Sequence, residues 1–114
     1  FIQLTGEDGL AYKFNRAGGV GIISVTANVA PKLCSDMQRL SKSKSDEEIG
    51  TAKKIDAMLQ PLHKSLFIES NPAPVKYAAS LLGLCKEEIR LPLVKIKSTT
   101  QDEVKKALSF AKLI

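Results

Sequence analysis

The sequence contains no tryptophan and few of the histidine and cysteine residues that bind metals or act as nucleophiles. Its 114 residues include no tryptophan, one histidine and two cysteines. Cys34 and Cys85 lie far apart and His63 is the only histidine, so the sequence supports neither a Cys/His zinc site nor a Cys–His catalytic pair. We therefore predict two reduced thiols, no metal site and no cofactor.

Long hydrophobic runs are also missing. No stretch approaches the roughly 18 to 20 consecutive apolar residues of a membrane span, and the first residues lack the layout of a signal peptide. We expect no membrane partner and a cytoplasmic location. The chain starts at Phe1, inside an apolar segment, and we expect further sequence upstream of it.

Positive charge is present but is not concentrated. The net charge is +5, and only Lys42, Lys44, Lys53 and Lys54 come close to forming a cluster. No aromatic residue lies among them to stack on bases, so we interpret the charge as solvated helix faces and expect no nucleic-acid partner. A small basic helical adaptor that binds nucleic acid stays open as an alternative function, and steeply salt-dependent binding would identify it.

The segment from Gly18 to Pro31 organises the rest of the chain. Its glycines lead into an apolar run, Val20 to Val25, which is typical of a parallel strand that is buried on both faces. In α/β proteins the functional residues lie where such strands end. Here that region is Ile23 to Asn28.

A second strand is predicted at the start of the chain, ending before Gly6. Glu7 and Asp8 suit the first turn of the helix that follows, because negative charge is favourable there. Gly18 is well placed for the left-handed conformation that commonly follows a helix. The two strands should therefore be parallel and joined by a helical crossover.

The rest of the sequence has helical periodicity. One helix should begin at Pro31, and Ser45 with Glu48 forms a capping-box pair for a longer helix that Pro61 should kink. We interpret His63 as a partly exposed residue because it falls beside the apolar stripe of this helix.

The last third of the chain predicts two more helices. Residues 71–74 contain two prolines that re-aim the chain, and Gly83 should end the short helix after them. An irregular segment, residues 86–97, precedes a final helix from about Ser98. Two strands are too few for a stable sheet, so the pattern is typical of the closing part of a larger α/β protein.

Four segments resemble the dihydrodipicolinate synthase family, which belongs to the Schiff-base pyruvate aldolases, and the similarity runs through the chain in order. They are Leu4–Asp8, Gly19–Val29, Glu69–Lys76 and Arg90–Leu93. The resemblance implies an α/β fold that is the C-terminal part of a TIM (β/α)8 barrel. Residues 1–44 would hold strands seven and eight with their helices, and residues 45–114 would form a helical C-terminal extension.

The resemblance also implies a reaction. Pyruvate would condense with L-aspartate 4-semialdehyde through a lysine Schiff base, giving 4-hydroxy-tetrahydrodipicolinate for the synthesis of diaminopimelate and lysine. The family's Schiff-base lysine and relay tyrosine would both precede Phe1, so no catalytic residue is assigned here and the 114 residues alone should be inactive. The full-length protein would be a homo-oligomer, a dimer or a tetramer. Another Schiff-base keto-acid aldolase of the superfamily stays open as an alternative.

The resemblance assigns two substrate-binding positions, Gly6 and Ile23. Gly6 matches a glycine that lines the pyruvate pocket, where a side chain would crowd the keto acid. Ile23 matches a residue whose backbone carbonyl approaches the substrate. From the residues alone, these positions would be a tight turn and barrel core. The sibling sialic acid lyases carry Gly-x-Asp-Glu after strand seven, and here Gly9 replaces the second acid, which favours a short aldehyde acceptor.

Overall fold

A computed structural model describes residues 1–114 as five α-helices and two short strands. The elements are β1 (Leu4–Thr5), α1 (Ala11–Arg16), β2 (Gly21–Ile22), α2 (Pro31–Ser41), α3 (Asp46–Ser65), α4 (Ala73–Leu81) and α5 (Ser98–Phe110). Two 3₁₀ turns, Asp8–Leu10 and Thr26–Asn28, lie after β1 and β2. No helix combines the length and the hydropathy that a membrane span requires.

The two strands pair in parallel, as the sequence predicts. Leu4 lies opposite Gly21 and Thr5 lies opposite Ile22. Both strands are much shorter than expected. The prediction of a strand buried on both faces is wrong for this chain, since both residues of β2 are only half-buried and Ile23, which follows them, is 74% exposed. The reason is that β1 and β2 have only each other as neighbours, which leaves edges and apolar side chains without cover.

Two glycines shape the connection from α1 to β2. Gly18 has a φ of 103°, which confirms the left-handed conformation predicted after the helix. At Gly19 an added Cβ would lie 2.1 Å from an edge carbon of the Phe14 ring. The ring can therefore pack over the turn only because Gly19 has no side chain.

The hydrophobic core lies among the helices and not at the sheet. Its 14 buried residues come mainly from α2 to α5, and the large side chains with no exposure are Leu59, Leu62, Leu66 and Leu108. Helix α3 packs against α2 and against α5, while α4 packs against α5 and the 3₁₀ turn after β2. The loop after β2 therefore rests on the helical core.

Helix α3 begins at the predicted position. The hydroxyl of Ser45 accepts a hydrogen bond from the backbone N–H of Glu48 at 3.4 Å. The carboxylate of Glu48 does not complete the capping box, because it accepts from the hydroxyl of Ser43. The helix continues through Pro61, and the kink that we predicted there stays a prediction.

The last third of the chain follows the sequence-based expectation. Helix α4 starts directly after Pro72, whose peptide bond with Asn71 is cis. Gly83 follows α4 with a φ of 72°, and residues 86–97 form no helix or strand before α5 begins at Ser98.

Candidate functional site

Gly6 and Ile23 lie side by side at the carboxyl ends of β1 and β2. The N–H of Ile23 donates to the carbonyl of Thr5 at 3.0 Å, which extends the ladder by one bond. No hydrogen bond ends on the carbonyl oxygen of Ile23. Around Gly6, an added Cβ would meet no atom of this chain within 4 Å. The structure therefore brings the two sequence-predicted site residues together at one open edge, with an unpaired carbonyl beside a position that lacks a side chain.

The loop after β2 is held by Asp8. Only 3% of this residue is exposed, and its carboxylate accepts hydrogen bonds from the hydroxyl of Ser24 and from the N–H groups of Val25, at 2.9 Å, and Thr26, at 3.4 Å. The hydroxyl of Ser24 in turn accepts from the N–H of Ala27 at 3.0 Å. Asp8 is the first residue of the 3₁₀ turn after β1, as its predicted place in a first turn requires. Its carboxylate, however, bonds to the loop after β2 and not to the N–H groups of its own turn.

His63 is buried, so the prediction of a partly exposed residue is wrong. It is 5% exposed, and its Nδ1 atom lies 2.7 Å from Oγ1 of Thr26. Its Nε2 atom is buried without a partner. Burial lowers the pKa of the imidazole, against the opposing effect of nearby carboxylates, chiefly that of Asp8. The neutral ring therefore connects α3 to the loop that Asp8 holds.

The sequence contained a signal for His63 that we misread. Ala52, Leu59, His63 and Leu66 follow one another at spacings of seven, four and three, which is one face of a helix. The other three members of that series are fully buried. Asp8 gave no comparable signal, because its partners lie 16 to 18 residues along the chain.

The two cysteines differ in their surroundings, and both are free thiols. Cys34 is buried in α2, and burial raises the pKa of its thiol to about 11, with a smaller contribution in the same direction from the charge of Asp8. Cys85 is exposed. A buried thiol with a raised pKa is a poor nucleophile, and Cys34 packs in the hydrophobic core.

None of the lysines of the chain is buried and none lies on a strand. A lysine that forms a Schiff base needs a desolvated amine, and the chain offers no such group. A cleft of about 590 Å³ lies between the turn after β1 and helix α3, and it does not include Gly6 or Ile23. Its lining residues are Glu7, Gly9, Leu10, Gln60, His63, Lys64 and Phe67. The chain thus combines an open strand edge with lysines that are all at least partly exposed.

Comparison with known proteins decides the family. The model of the dihydrodipicolinate synthetase family matches residues 1–111. The chain belongs to this family. It is 60% identical over 114 residues to a 4-hydroxy-tetrahydrodipicolinate synthase of Pelagibacter ubique, covering all of this chain and 39% of that relative. The chain therefore spans about two fifths of the length of this relative.

Solved structures of the dihydrodipicolinate synthetase family share the fold of the chain. The dihydrodipicolinate synthase of Thermotoga maritima matches with a TM-score of 0.92 and 35% identity, covering 100% of this chain and 38% of that one. A chloride-inhibited dihydrodipicolinate synthase of Acinetobacter baumannii, in complex with pyruvate, matches with a TM-score of 0.90 and 36% identity, covering 100% and 38%. The resemblance seen in the sequence is confirmed, and these matches favour the enzyme over the nucleic-acid adaptor.

Proposed function

We propose that this chain forms one wall of the pyruvate pocket in a longer enzyme that condenses pyruvate with L-aspartate 4-semialdehyde. We call this longer protein the complete enzyme. The observation that carries the proposal is the unpaired carbonyl of Ile23 next to Gly6 at the carboxyl edge of two parallel strands. In (β/α)8 barrels this edge is where active sites lie. The names of the relatives, and the pyruvate bound in the Acinetobacter baumannii structure, support the same substrate class.

In this proposal β1 and β2 are strands seven and eight of the barrel. Residues 1–44 complete the barrel, and residues 45–114 form a helical extension that packs against it. The exposed apolar side chains of Ile2, at 78%, and Leu4, at 54%, would be covered by the remaining strands and helices. The complete enzyme would be a cytoplasmic homo-oligomer.

In this proposal the chain supplies substrate-binding groups, and the rest of the complete enzyme supplies the catalytic side chains. Gly6 leaves room for the keto acid, and the carbonyl of Ile23 is free to accept from the N–H of the protonated Schiff base that the keto acid forms. As the family resemblance implies, the lysine that forms the Schiff base and the tyrosine that relays protons would lie in the rest of the complete enzyme. The lysines of this chain fit that assignment, since none is buried and none lies on a strand. Formation of the Schiff base releases water and leaves an iminium that acts as an electron sink, so the methyl group of the bound pyruvate can lose a proton and attack the aldehyde as an enamine. The amino group of the semialdehyde then displaces the enzyme lysine, which closes the ring and frees the enzyme. The product is 4-hydroxy-tetrahydrodipicolinate.

Trapping with borohydride tests the proposal directly. The complete enzyme and the isolated 114-residue chain are each incubated with pyruvate, reduced with borohydride and weighed by mass spectrometry. We expect one reduced pyruvate adduct per complete enzyme subunit, on a lysine outside this chain, and no adduct on the isolated chain. A stoichiometric adduct on a lysine within residues 1–114 would contradict the proposed division of labour. A complete enzyme that forms no adduct would contradict the function itself.

A further inference from the structure

We infer that Asp8 is a positioning residue for pyruvate binding, acting through the peptide that carries the carbonyl of Ile23. This inference rests on the proposed function, since it presumes that the carbonyl meets the substrate. Asp8 itself is buried and has its carboxylate oxygens occupied by the loop, so it is placed to orient that loop and not to contact a ligand.

The carbonyl of Ile23 lies between two anchored points of the backbone. On one side, the N–H of Ile23 is bonded to Thr5 at 3.0 Å, which fixes the preceding peptide to β1. On the other side, the N–H of Val25 is bonded to Asp8 at 2.9 Å, and the Ser24 hydroxyl is bonded to the same carboxylate. The peptide between Ile23 and Ser24 makes no hydrogen bond of its own. Its orientation is therefore set by these flanking anchors, one of which is Asp8.

Charge makes Asp8 an effective anchor. Hydrogen bonds to an ionised carboxylate are stronger than those between neutral groups. Asp8 collects its bonds from consecutive residues, Ser24, Val25 and Thr26, so a single side chain holds the whole start of the loop. The loop is also held from the other side, where His63 contacts the fully buried Thr26. Removing Asp8 should thus release the segment next to Ile23 while the far end of the loop stays attached.

The test compares Asp8→Ala and Asp8→Asn with wild type in the complete enzyme. Pyruvate is titrated, the Schiff base is trapped with borohydride, and the half-saturating pyruvate concentration is read together with the melting temperature. Because a misplaced carbonyl would weaken one hydrogen-bonding contact with the bound keto acid, we expect Asp8→Ala to raise the half-saturating concentration by about 2- to 10-fold. Asp8→Asn should raise it less, since its amide oxygen can still accept from the backbone while its NH₂ donates to Ser24.

A matched control separates positioning from general destabilisation. Glu69 anchors the N-terminus of α5, where its carboxylate accepts from the N–H of Lys97 at 2.9 Å. Glu69→Gln should lower the melting temperature and leave the half-saturating concentration of pyruvate unchanged.

The outcomes are distinct. An unchanged half-saturating concentration of pyruvate in Asp8→Ala overturns the inference. The inference also fails if Glu69→Gln raises that concentration in proportion to its drop in melting temperature, because loss of stability alone would then explain the effect. If Asp8→Ala does not fold, Asp8→Asn carries the same comparison, and wild-type behaviour there overturns the inference. Failure of the wild-type enzyme to form any adduct would instead count against the proposed function.

Discussion

Nδ1 of His63 lies 2.7 Å from Oγ1 of Thr26, and this contact joins the longest helix of the chain to the loop that follows β2. Thr26 is fully buried and His63 nearly so. The helical extension and the proposed pocket edge are therefore connected by a polar contact inside the core as well as by apolar packing. Polar pairs in such surroundings are sensitive to protonation, since a charged partner would have to be desolvated.

The first prediction concerns pH. Burial lowers the pKa of His63 below its ordinary value of 6.5, although the carboxylates of Asp8, Asp56 and Glu7 oppose the shift. Above pH 6.5 the ring is neutral in both the folded and the unfolded state, so the shift contributes nothing there. Below that pH the unfolded chain binds a proton that the folded protein does not, and stability falls.

The melting temperature checks this dependence. Between about pH 7.5 and pH 5.5, we expect it to fall more steeply for the wild-type complete enzyme than for His63→Asn, which keeps a polar group near Thr26 but cannot take up a proton. Only the slopes are compared, because the substitution also changes packing. Parallel slopes would show that His63 does not contribute to the pH dependence.

The second prediction concerns the start of α5. Lys97 supplies no side-chain cap to this helix, and Glu69 accepts from its N–H instead. A hydrogen bond from the Thr100 hydroxyl, and then the bond from Lys97, hold the pKa of Glu69 below its ordinary value of 4.5. A lowered carboxyl pKa stabilises the folded state above the unfolded value, and this stabilisation is lost as the pH falls through the folded value.

Glu69→Gln should therefore lower the melting temperature at neutral pH, modestly because the carboxylate is solvated. The difference from wild type should shrink as the pH falls below 4.5. Glu103→Gln is the control, since Glu103 pairs only with Lys106 on the surface of α5 and such pairs contribute little. Equal effects of the two substitutions would argue against a capping role for Glu69.

The third prediction concerns thiol reactivity. Because the pKa of Cys34 is about 11, only about one thiol in a thousand is ionised at pH 8, and the group is buried as well. Cys85 is exposed, so dithiobis(nitrobenzoate) should modify it much faster than Cys34. Cys85→Ser should remove the fast phase and Cys34→Ser should leave it intact. A fast phase that persists in Cys85→Ser would show that Cys34 is reached by the reagent.

The fourth prediction concerns Gly6. Apart from its neighbours in sequence, no atom of the chain lies within 4 Å of a Cβ added at Gly6, so the first carbon of a side chain fits here. In the complete enzyme we expect Gly6→Val to raise KM for pyruvate roughly tenfold or more, through contact with the keto acid, with a small change in melting temperature.

Gly50 is the matched control for Gly6. It lies in α3 and an added Cβ there also meets nothing within 4 Å. Gly50→Ala should leave the kinetics unchanged and slightly increase stability, because alanine is the better helix former. A normal KM for pyruvate in Gly6→Val would remove Gly6 from the proposed pocket.

Local sequence alone determined much of the fold. The helix starts at Pro31, Asp46 and Ser98, and the left-handed glycines Gly18 and Gly83, were predictable. Each depends on neighbours within one or two turns of chain, such as a cap, a proline or a residue without Cβ. The parallel relation of β1 and β2 was predictable too, because a helical crossover allows little else.

What only the tertiary structure decided is the arrangement around the loop after β2. Asp8 suited a helix terminus in the sequence, and in the structure its carboxylate holds Ser24, Val25 and Thr26. His63 read as a surface residue and proved to be a buried partner of Thr26. Both contacts join residues 16 or more positions apart. A short polar side chain is compatible with exposure, capping or burial, and which of these it adopts depends on what the rest of the fold brings within hydrogen-bonding distance.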